Sequence, residues 1–251
     1  LLSGTHWLDA FIAYDRHSKK QELGFRQAAS ALRSARPDIA LLVPNSLSSA
    51  ALAWWGGCRR RVGYARHGRR FLLTDPLSPL RRGWKVEVMS TAQHSMDLAE
   101  QIGVARQPLE LELATLPDDE AILDSLMSSF FEGWTQNKTC PLFVFNDNAG
   151  NGPAKSWGGE RFVSLARQLL HAYPDCRIVV HCGPGERDDA RSIESALNDS
   201  RVRSLADVDK LPFGLSKALL RRASVVITTD SGPRHIAAAF QTPTVVLHGP
   251  M

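Results

Sequence analysis

Val225–Met251, VVITTDSGPRHIAAAFQTPTVVLHGPM, decides how the rest of the chain is read. Val225, Val226 and Ile227, followed by Thr228 and Thr229, form a β-branched run of the kind buried on both faces of a parallel sheet. Asp230-Ser231-Gly232 then reads as a turn: Asp or Ser is able to cap a helix, and Gly admits a close backbone approach. Pro233 suits a first helical turn, where its missing N–H costs nothing. Ile236 to Phe240 is a small-residue helix that can lie close to a sheet, and Thr244 to Leu247 supplies the next strand. Such a unit places its turn at the carboxyl end of a strand, where open α/β sheets bind ligands. The free N–H groups and the helix dipole favour an anion there. An ordinary capped βαβ unit has the same pattern, so the stretch speaks for fold before it speaks for function.

The preceding hundred or so residues repeat this logic. Cys140 to Phe145 (CPLFVF) is a strand that opens into an Asn- and Gly-rich segment, Asn146–Gly152, and then Pro153-Ala154-Lys155-Ser156-Trp157. A Gly-rich turn between strand and helix holds phosphate through backbone N–H groups, with Lys155 as a point charge at its rim. From Glu160 to Tyr173 the apolar residues Phe162, Leu165, Ala166, Leu169 and Leu170 follow helical spacing. Cys176 to His181 is the next strand, and Gly183-Pro184-Gly185-Glu186 turns into a polar helix through Leu197. Val202–Leu205 and Leu211–Ala223 give one more strand and helix.

The first half is also α/β. Trp7–Tyr14 reads as a short strand or loop edge. Phe25, Ala28, Ala29 and Leu32 mark an amphipathic helix that ends before Pro37. Ile39–Val43 reads as a buried strand, and Asn45 or Ser46 as the N-cap of a helix running to Trp54 and closed by Gly56-Gly57. A helix is expected within 86–104, with Met96, Leu98, Ala99 and Ile102 inward. The alternation LELEL reads as an exposed strand or an extended linker. Asp118–Trp134 is a helix with Leu123, Leu126, Met127 and Phe130 buried. The polar stretch Gln136–Thr139 is the expected domain boundary, giving domains 1–137 and 138–251.

With 251 residues, 43% hydrophobic and 22% charged, the composition is that of a globular protein large enough for two modest domains. Cys58, Cys140, Cys176 and Cys182 form no CxxC pair, which argues against a zinc site and fits a reducing compartment. No apolar run reaches the roughly 18 residues of a membrane span. Net charge is only +4, but no acid occurs between Asp38 and Asp75. Arg59, Arg60, Arg61, Arg66, Arg69 and Arg70 crowd that interval, with Arg81 and Arg82 beyond. Either a solvated basic surface or a surface for an anionic acceptor or membrane face fits this run. Nucleic acid is disfavoured, because no reader motif or interleaved stacking aromatics accompany it. The sequence opens on Leu1 and stops just past a core strand, so a fragment truncated at both ends is expected.

Three blocks, met in order, resemble one family. TTDSGPRHIAAA closely resembles the (T/N)DSG-x-x-H-x-A-A-A signature of the bacterial ADP-heptose:lipopolysaccharide heptosyltransferases, glycosyltransferase family 9, of the heptosyltransferase II type. LVPNSLSSAALAWWGGCRRRVGYARHGRRFLLTDPL is similar to the block in which PNS, a Gly, Arg-x-Gly-Tyr and LLTD succeed one another; Asn45, Ser46, Arg61, Gly63, Tyr64 and Leu72–Asp75 match it. GPAKSW resembles the GPAK block. Two departures stand out: Asn146–Asn151 replaces a Pro-Gly-Ala step, and an Arg-Tyr pair is missing from the helix within 86–104.

The resemblance implies a GT-B-like α/β architecture of two Rossmann-like domains facing a cleft, both incomplete here. It implies an inverting glycosyltransferase that moves heptose from ADP-heptose, its donor substrate, to the lipopolysaccharide inner core, with no cofactor or metal. It implies a cytoplasmic enzyme, with peripheral contact at the inner face of the membrane as a further expectation. Donor-site residues would be Lys155, Glu186, Asp230, Ser231, Gly232 and His235; acceptor-side residues would be Asn45, Ser46 and Arg61. Each keeps a structural alternative: capping for Asn45 and Ser46, a dipole-favoured acid for Glu186, simple packing for His235. Asp230 is read as a cap, as an acceptor from a sugar hydroxyl, or as the group that orients the Ser231 and Gly232 amides toward the diphosphate. The family's catalytic aspartate, in a Gly-Asp loop, would precede Leu1, leaving this fragment inactive by itself; neither Asp9 nor Asp15 takes its place. Two rivals are a non-catalytic nucleotide-binding module and a dinucleotide-dependent oxidoreductase, although Gly183–Glu186 does not complete a GxGxxG turn.

Overall fold

The computed structural model describes residues 1–79, 81–82, 84–87, 89–135, 140–147 and 156–248, with the backbone alone at 81, 82, 85 and 86. Two compact units divide the chain, one of Leu8–Leu109 and one of Leu1–Trp7 with Glu110–Met251.

In Leu8–Leu109 the elements are α1 (Phe25–Ala35), β1 (Ile39–Leu42), α2 (Leu47–Trp55), β2 (Arg60–Tyr64), β3 (Asp75–Leu77), β4 (Arg81–Arg82), β5 (Lys85–Val86) and α3 (Thr91–Glu100). Residues 7–14 form no regular element among the described residues, which leaves the loop reading. α1 buries Ala28 and Ala29 and stops at Arg36, whose left-handed backbone (φ 50) turns the chain before Pro37. β1, β2 and β3 pair parallel in that order. Pro76 is tolerated because β3 is an edge strand, where a missing N–H breaks no ladder. β1 corrects the expectation of a buried strand. Leu42 faces α2 with Ala50 and Ala53, while Ile39 and Leu41 alternate to an exposed face. Of the four residues expected inside α3 and its end, Leu98 alone is fully buried.

The second unit contains α4 (Pro117–Phe130), β6 (Leu142–Asn146), α5 (Gly159–Ala172), β7 (Arg177–Val180), α6 (Arg187–Leu197), β8 (Val202–Ser204), α7 (Phe213–Arg222), β9 (Val225–Thr229), α8 (Gly232–Ala239) and β10 (Thr244–Leu247). Its strands pair parallel in the order β10-β9-β6-β7-β8. Counted from β6 this is 3-2-1-4-5, the doubly wound order, and it reverses between β6 and β9. All five residues of β6 are buried, which suits its place at the centre of the sheet. Burial of side chains such as Val144, Phe145, Phe162, Ile178, Val179 and Val226 stabilises this unit by roughly 1.5–3 kcal/mol each.

The unit boundary is Leu109/Glu110, not 137/138. The LELEL segment runs as an extended linker without strand pairing. α4 then joins the second unit because Leu123 and Met127 are fully buried in the core that holds β6 and α7. Its Glu120 accepts from Arg221 at 3.0 Å and from Arg222 at 2.8 Å, and its Asp124 also pairs with Arg222. Gly214 of α7 lies so close to α4 that a Cβ there would fall 1.7 Å from Asp119 Oδ1. Lys217, only 1% exposed, donates from Nζ to the carbonyls of Ser3 (2.7 Å) and Ala114 (2.6 Å), which holds the first residues of the chain in this unit.

Candidate functional site

The reversal of strand order between β6 and β9 is where a doubly wound sheet opens a crevice at its carboxyl edge. Strand register puts Asn146, the last residue of β6, beside Thr228 of β9. The His181 N–H donates to Phe145 O at 2.8 Å, which brings His181 alongside β6 from the other direction. These three polar residues are buried and joined. Asn146 Nδ2 donates to Thr228 Oγ1 and to Ser231 Oγ, both at 3.1 Å. Asn146 Oδ1 lies 2.9 Å from His181 Nδ1, and His181 Nε2 lies 2.9 Å from Ser216 Oγ of α7. With Oδ1 as acceptor, Nδ1 carries the imidazole proton and Nε2 accepts from Ser216. Burial pushes the His181 pKa down to about 4, so the ring is neutral near pH 7.

Around this network stand the predicted donor-site residues. Ser231 occupies the N-cap position of α8, yet its hydroxyl makes no cap hydrogen bond; it faces Asn146 and Thr228 instead. Gly232 opens α8 at the surface. The Asp230 carboxylate pairs with Arg234 Nε at 2.9 Å, a partner the sequence reading did not foresee. His235 is exposed and lines an apolar groove of about 350 Å³ with Gly232, Phe213 and Ile236, so it does not pack into the core. Glu186 sits at the N-cap position of α6, and its Oε2 accepts from Gly183 N at 2.9 Å, bracing its own turn. Ser231 and Glu186 therefore follow β9 and β7, the two neighbours of β6, at the same edge of the sheet.

Lys155 lies outside the described residues, as does most of its Gly-rich segment. The flanks of that segment are drawn together by Asp147. Its carboxylate accepts from Ser156 Oγ (2.8 Å), Trp157 N (2.9 Å) and Gly158 N (3.0 Å) at the start of α5. An acid against helix N-terminal amides is electrostatically favourable.

In the other unit the predicted acceptor-side residues are engaged in structure. Ser46 caps α2, its Oγ accepting from Ser49 N at 3.2 Å. Asn45 Oδ1 accepts from Arg69 Nη2 at 3.0 Å. Arg61 donates to the carbonyls of Leu72 (2.6 Å) and Cys58 (2.7 Å). Arg69 corrects the reading of the basic run as surface, because it is wholly buried (0% exposed). Its guanidinium donates to the carbonyls of Tyr64 (3.0 Å), Leu42 (3.3 Å), Ser46 (3.3 Å) and Pro44, and to Ser49 Oγ (3.2 Å). Gly63 leaves room for it, since a Cβ there would meet Arg69 Nη2 at 3.0 Å. Arg59, Arg60 and Arg70 remain exposed.

A 3-2-1-4-5 parallel sheet with a Ser/Gly-bearing turn at its reversal point defines an α/β protein of the doubly wound class. The chain belongs to glycosyltransferase family 9 (heptosyltransferase), whose model matches residues 25–251. It is 28% identical over 228 residues to lipopolysaccharide heptosyltransferase 2 of Salmonella typhimurium, a match covering 90% of this chain and 63% of that protein. The chain thus spans less than two thirds of the length of this relative. Among solved structures it is similar to ADP-heptose lipopolysaccharide heptosyltransferase II of E. coli (25% identity, TM-score 0.69, covering 88% of this chain and 66% of that one). The fold also matches that of E. coli heptosyltransferase WaaC, solved with ADP-2-deoxy-2-fluoro heptose (18% identity, TM-score 0.65, covering 90% and 66%). These likenesses agree with the α/β, GT-B-like class expected from the sequence blocks.

Proposed function

We propose that this chain carries the nucleotide-sugar-binding part of an inverting glycosyltransferase that moves heptose from ADP-heptose to the inner core of lipopolysaccharide. The observation that carries the reading is the coincidence of the DSG-x-x-H signature with the reversal point of the sheet, where Asn146 and Thr228 hold Ser231. Family membership and the donor analogue bound by WaaC support it.

In this reading the donor diphosphate meets the amides of the Ser231-Gly232 turn and the positive end of α8, with Lys155 as a point charge. Glu186 Oε1 accepts from ribose hydroxyls while Oε2 keeps its bond to Gly183. A general base takes the proton of the acceptor hydroxyl, and the acceptor oxygen bonds to the anomeric carbon from the face opposite the diphosphate. The C–O bond to the diphosphate breaks, and ADP leaves with the electron pair, its charge met by preorganised N–H dipoles. The donor substrate is the one small molecule this scheme uses. The acceptor is met at a peripheral contact with the cytoplasmic face of the membrane, where exposed Arg59 and Arg70 supply positive charge.

The test is mass spectrometry of products from the full-length protein, ADP-heptose and a truncated core acceptor, together with calorimetry against ADP, UDP and NAD. A heptose-sized mass increase with ADP preferred is the expected result. Tight NAD binding without preference for ADP would overturn it.

A further inference from the structure

We propose that His181 and Asn146 are positioning residues for the donor turn, acting on the bound diphosphate through Ser231. The inference rests on the donor site proposed above and deepens it.

A serine at a helix N-cap ordinarily turns its oxygen toward the amide of the second or third helical residue and consumes that donor. Ser231 does not; its oxygen accepts from Asn146 Nδ2 at 3.1 Å and lies 3.3 Å from Thr229 O, to which it donates. The side chain that would cap α8 is thus held on the inner side of the turn, and the first-turn amides are left uncapped by it. Asn146 can hold it only if its amide faces one way. An amide turned over would present Oδ1 to Ser231 and Thr228, and neither hydroxyl would keep its present donation to Thr229 O. His181 fixes that choice, because Nδ1–H donates to Asn146 Oδ1. With the ring proton on Nδ1, Nε2 accepts from the Ser216 hydroxyl, so both ring nitrogens are paired. The chain Ser216–His181–Asn146–Ser231 therefore runs from α7 to the donor turn with each side chain paired to the next. Such a network sets orientation strongly because each buried member is costly to leave unpaired.

The experiment is ADP titration calorimetry on the full-length protein and on His181→Leu, His181→Asn, Ser231→Ala and the His181→Leu/Ser231→Ala pair, with thermal unfolding recorded for each. His181→Leu is expected to weaken ADP binding roughly ten-fold, the cost of unpairing one buried amide. His181→Asn recovers most of the loss, since its amide can donate to Asn146 Oδ1. Ser231→Ala costs as much as His181→Leu, and the pair costs no more than either alone, because both break one path. Two independent effects on the turn would make the two losses multiply, and a role in general stability alone would lower the unfolding temperature with ADP affinity unchanged. Multiplying losses, or ADP affinity untouched in His181→Leu, would overturn the inference while leaving the donor site standing. If His181→Leu does not fold, Ser216→Ala takes its place: roughly three-fold weaker binding that vanishes in the Ser231→Ala background is expected, and unchanged affinity overturns it. Absence of ADP binding by the unsubstituted protein would overturn the donor site and this inference together.

Discussion

The side-chain amide of Asn146 lies 3.1 Å from the hydroxyl of Ser231, joining the ends of β6 and β9 where the strand order reverses. One residue belongs to a motif visible in the sequence and the other to none. The pair shows how the signature turn is held from below, by a group that no spacing rule marks.

Acid should weaken the fold through His181. Unfolded, the ring binds a proton near pH 6.5; in the native protein burial delays this to about pH 4. Between these values the unfolded chain holds more protons, so stability rises with pH across the window and is level above it. The expected loss on going from pH 7 to pH 4 is up to about 3 kcal/mol from this group. Urea unfolding at pH 7, 5.5 and 4.5 measures it, and His181→Asn should flatten the slope. An unflattened slope would assign the effect elsewhere.

Arg69 should matter more than its neighbours in the basic run. Arg69→Met strands carbonyls and Asn45 in a buried site and is expected to cost roughly 3 kcal/mol or more. Arg69→Lys recovers little, because an ammonium cannot span acceptors spread as widely as the guanidinium fork's. Arg59→Ala, at an exposed position, should stay within about 0.5 kcal/mol. Denaturant midpoints at constant slope compare the three.

Gly214→Ala should loosen α4 from α7. The new methyl would displace the Asp119 carboxylate, which accepts from Leu116 N at 3.0 Å and so closes the start of α4. Loss of that cap costs about 1 kcal/mol. In the background of Asp119→Ala the glycine substitution should become nearly harmless, and thermal unfolding of the double variant decides this.

Lys217→Met keeps the unbranched, apolar stem of the side chain and removes its charged end. It leaves the Ser3 and Ala114 carbonyls without their donor, for a loss of about 2 kcal/mol. Hydrogen exchange should rise at residues 1–7 and 110–116 before it rises in β6. Uniform exchange would show that the lysine does not hold these segments.

The alternation of strands and helices was legible because β-branched runs and helical spacing are local signals. Val225–Thr229 and Phe162–Leu170 could be read from a few residues each. What escaped were residues whose role depends on distant partners. Asn146 looked like the start of a polar loop, since its partners His181 and Ser231 lie 35 and 85 residues away. Arg69 looked like one more exposed arginine, although Gly63 in the Arg-x-Gly-Tyr step makes the space it fills. The unit boundary escaped because α4 follows a linker that ends sooner than the polar stretch at 136–139 suggested.

The bond from Lys217 to Ser3 spans 214 residues of sequence. During synthesis Leu1–Trp7 leaves the ribosome long before the lysine that will hold it exists. It must stay available while the whole of Leu8–Leu109 is made and folded. The unit that gathers Leu1–Trp7 is therefore closed only once Lys217 has been made, well after the neighbouring unit Leu8–Leu109.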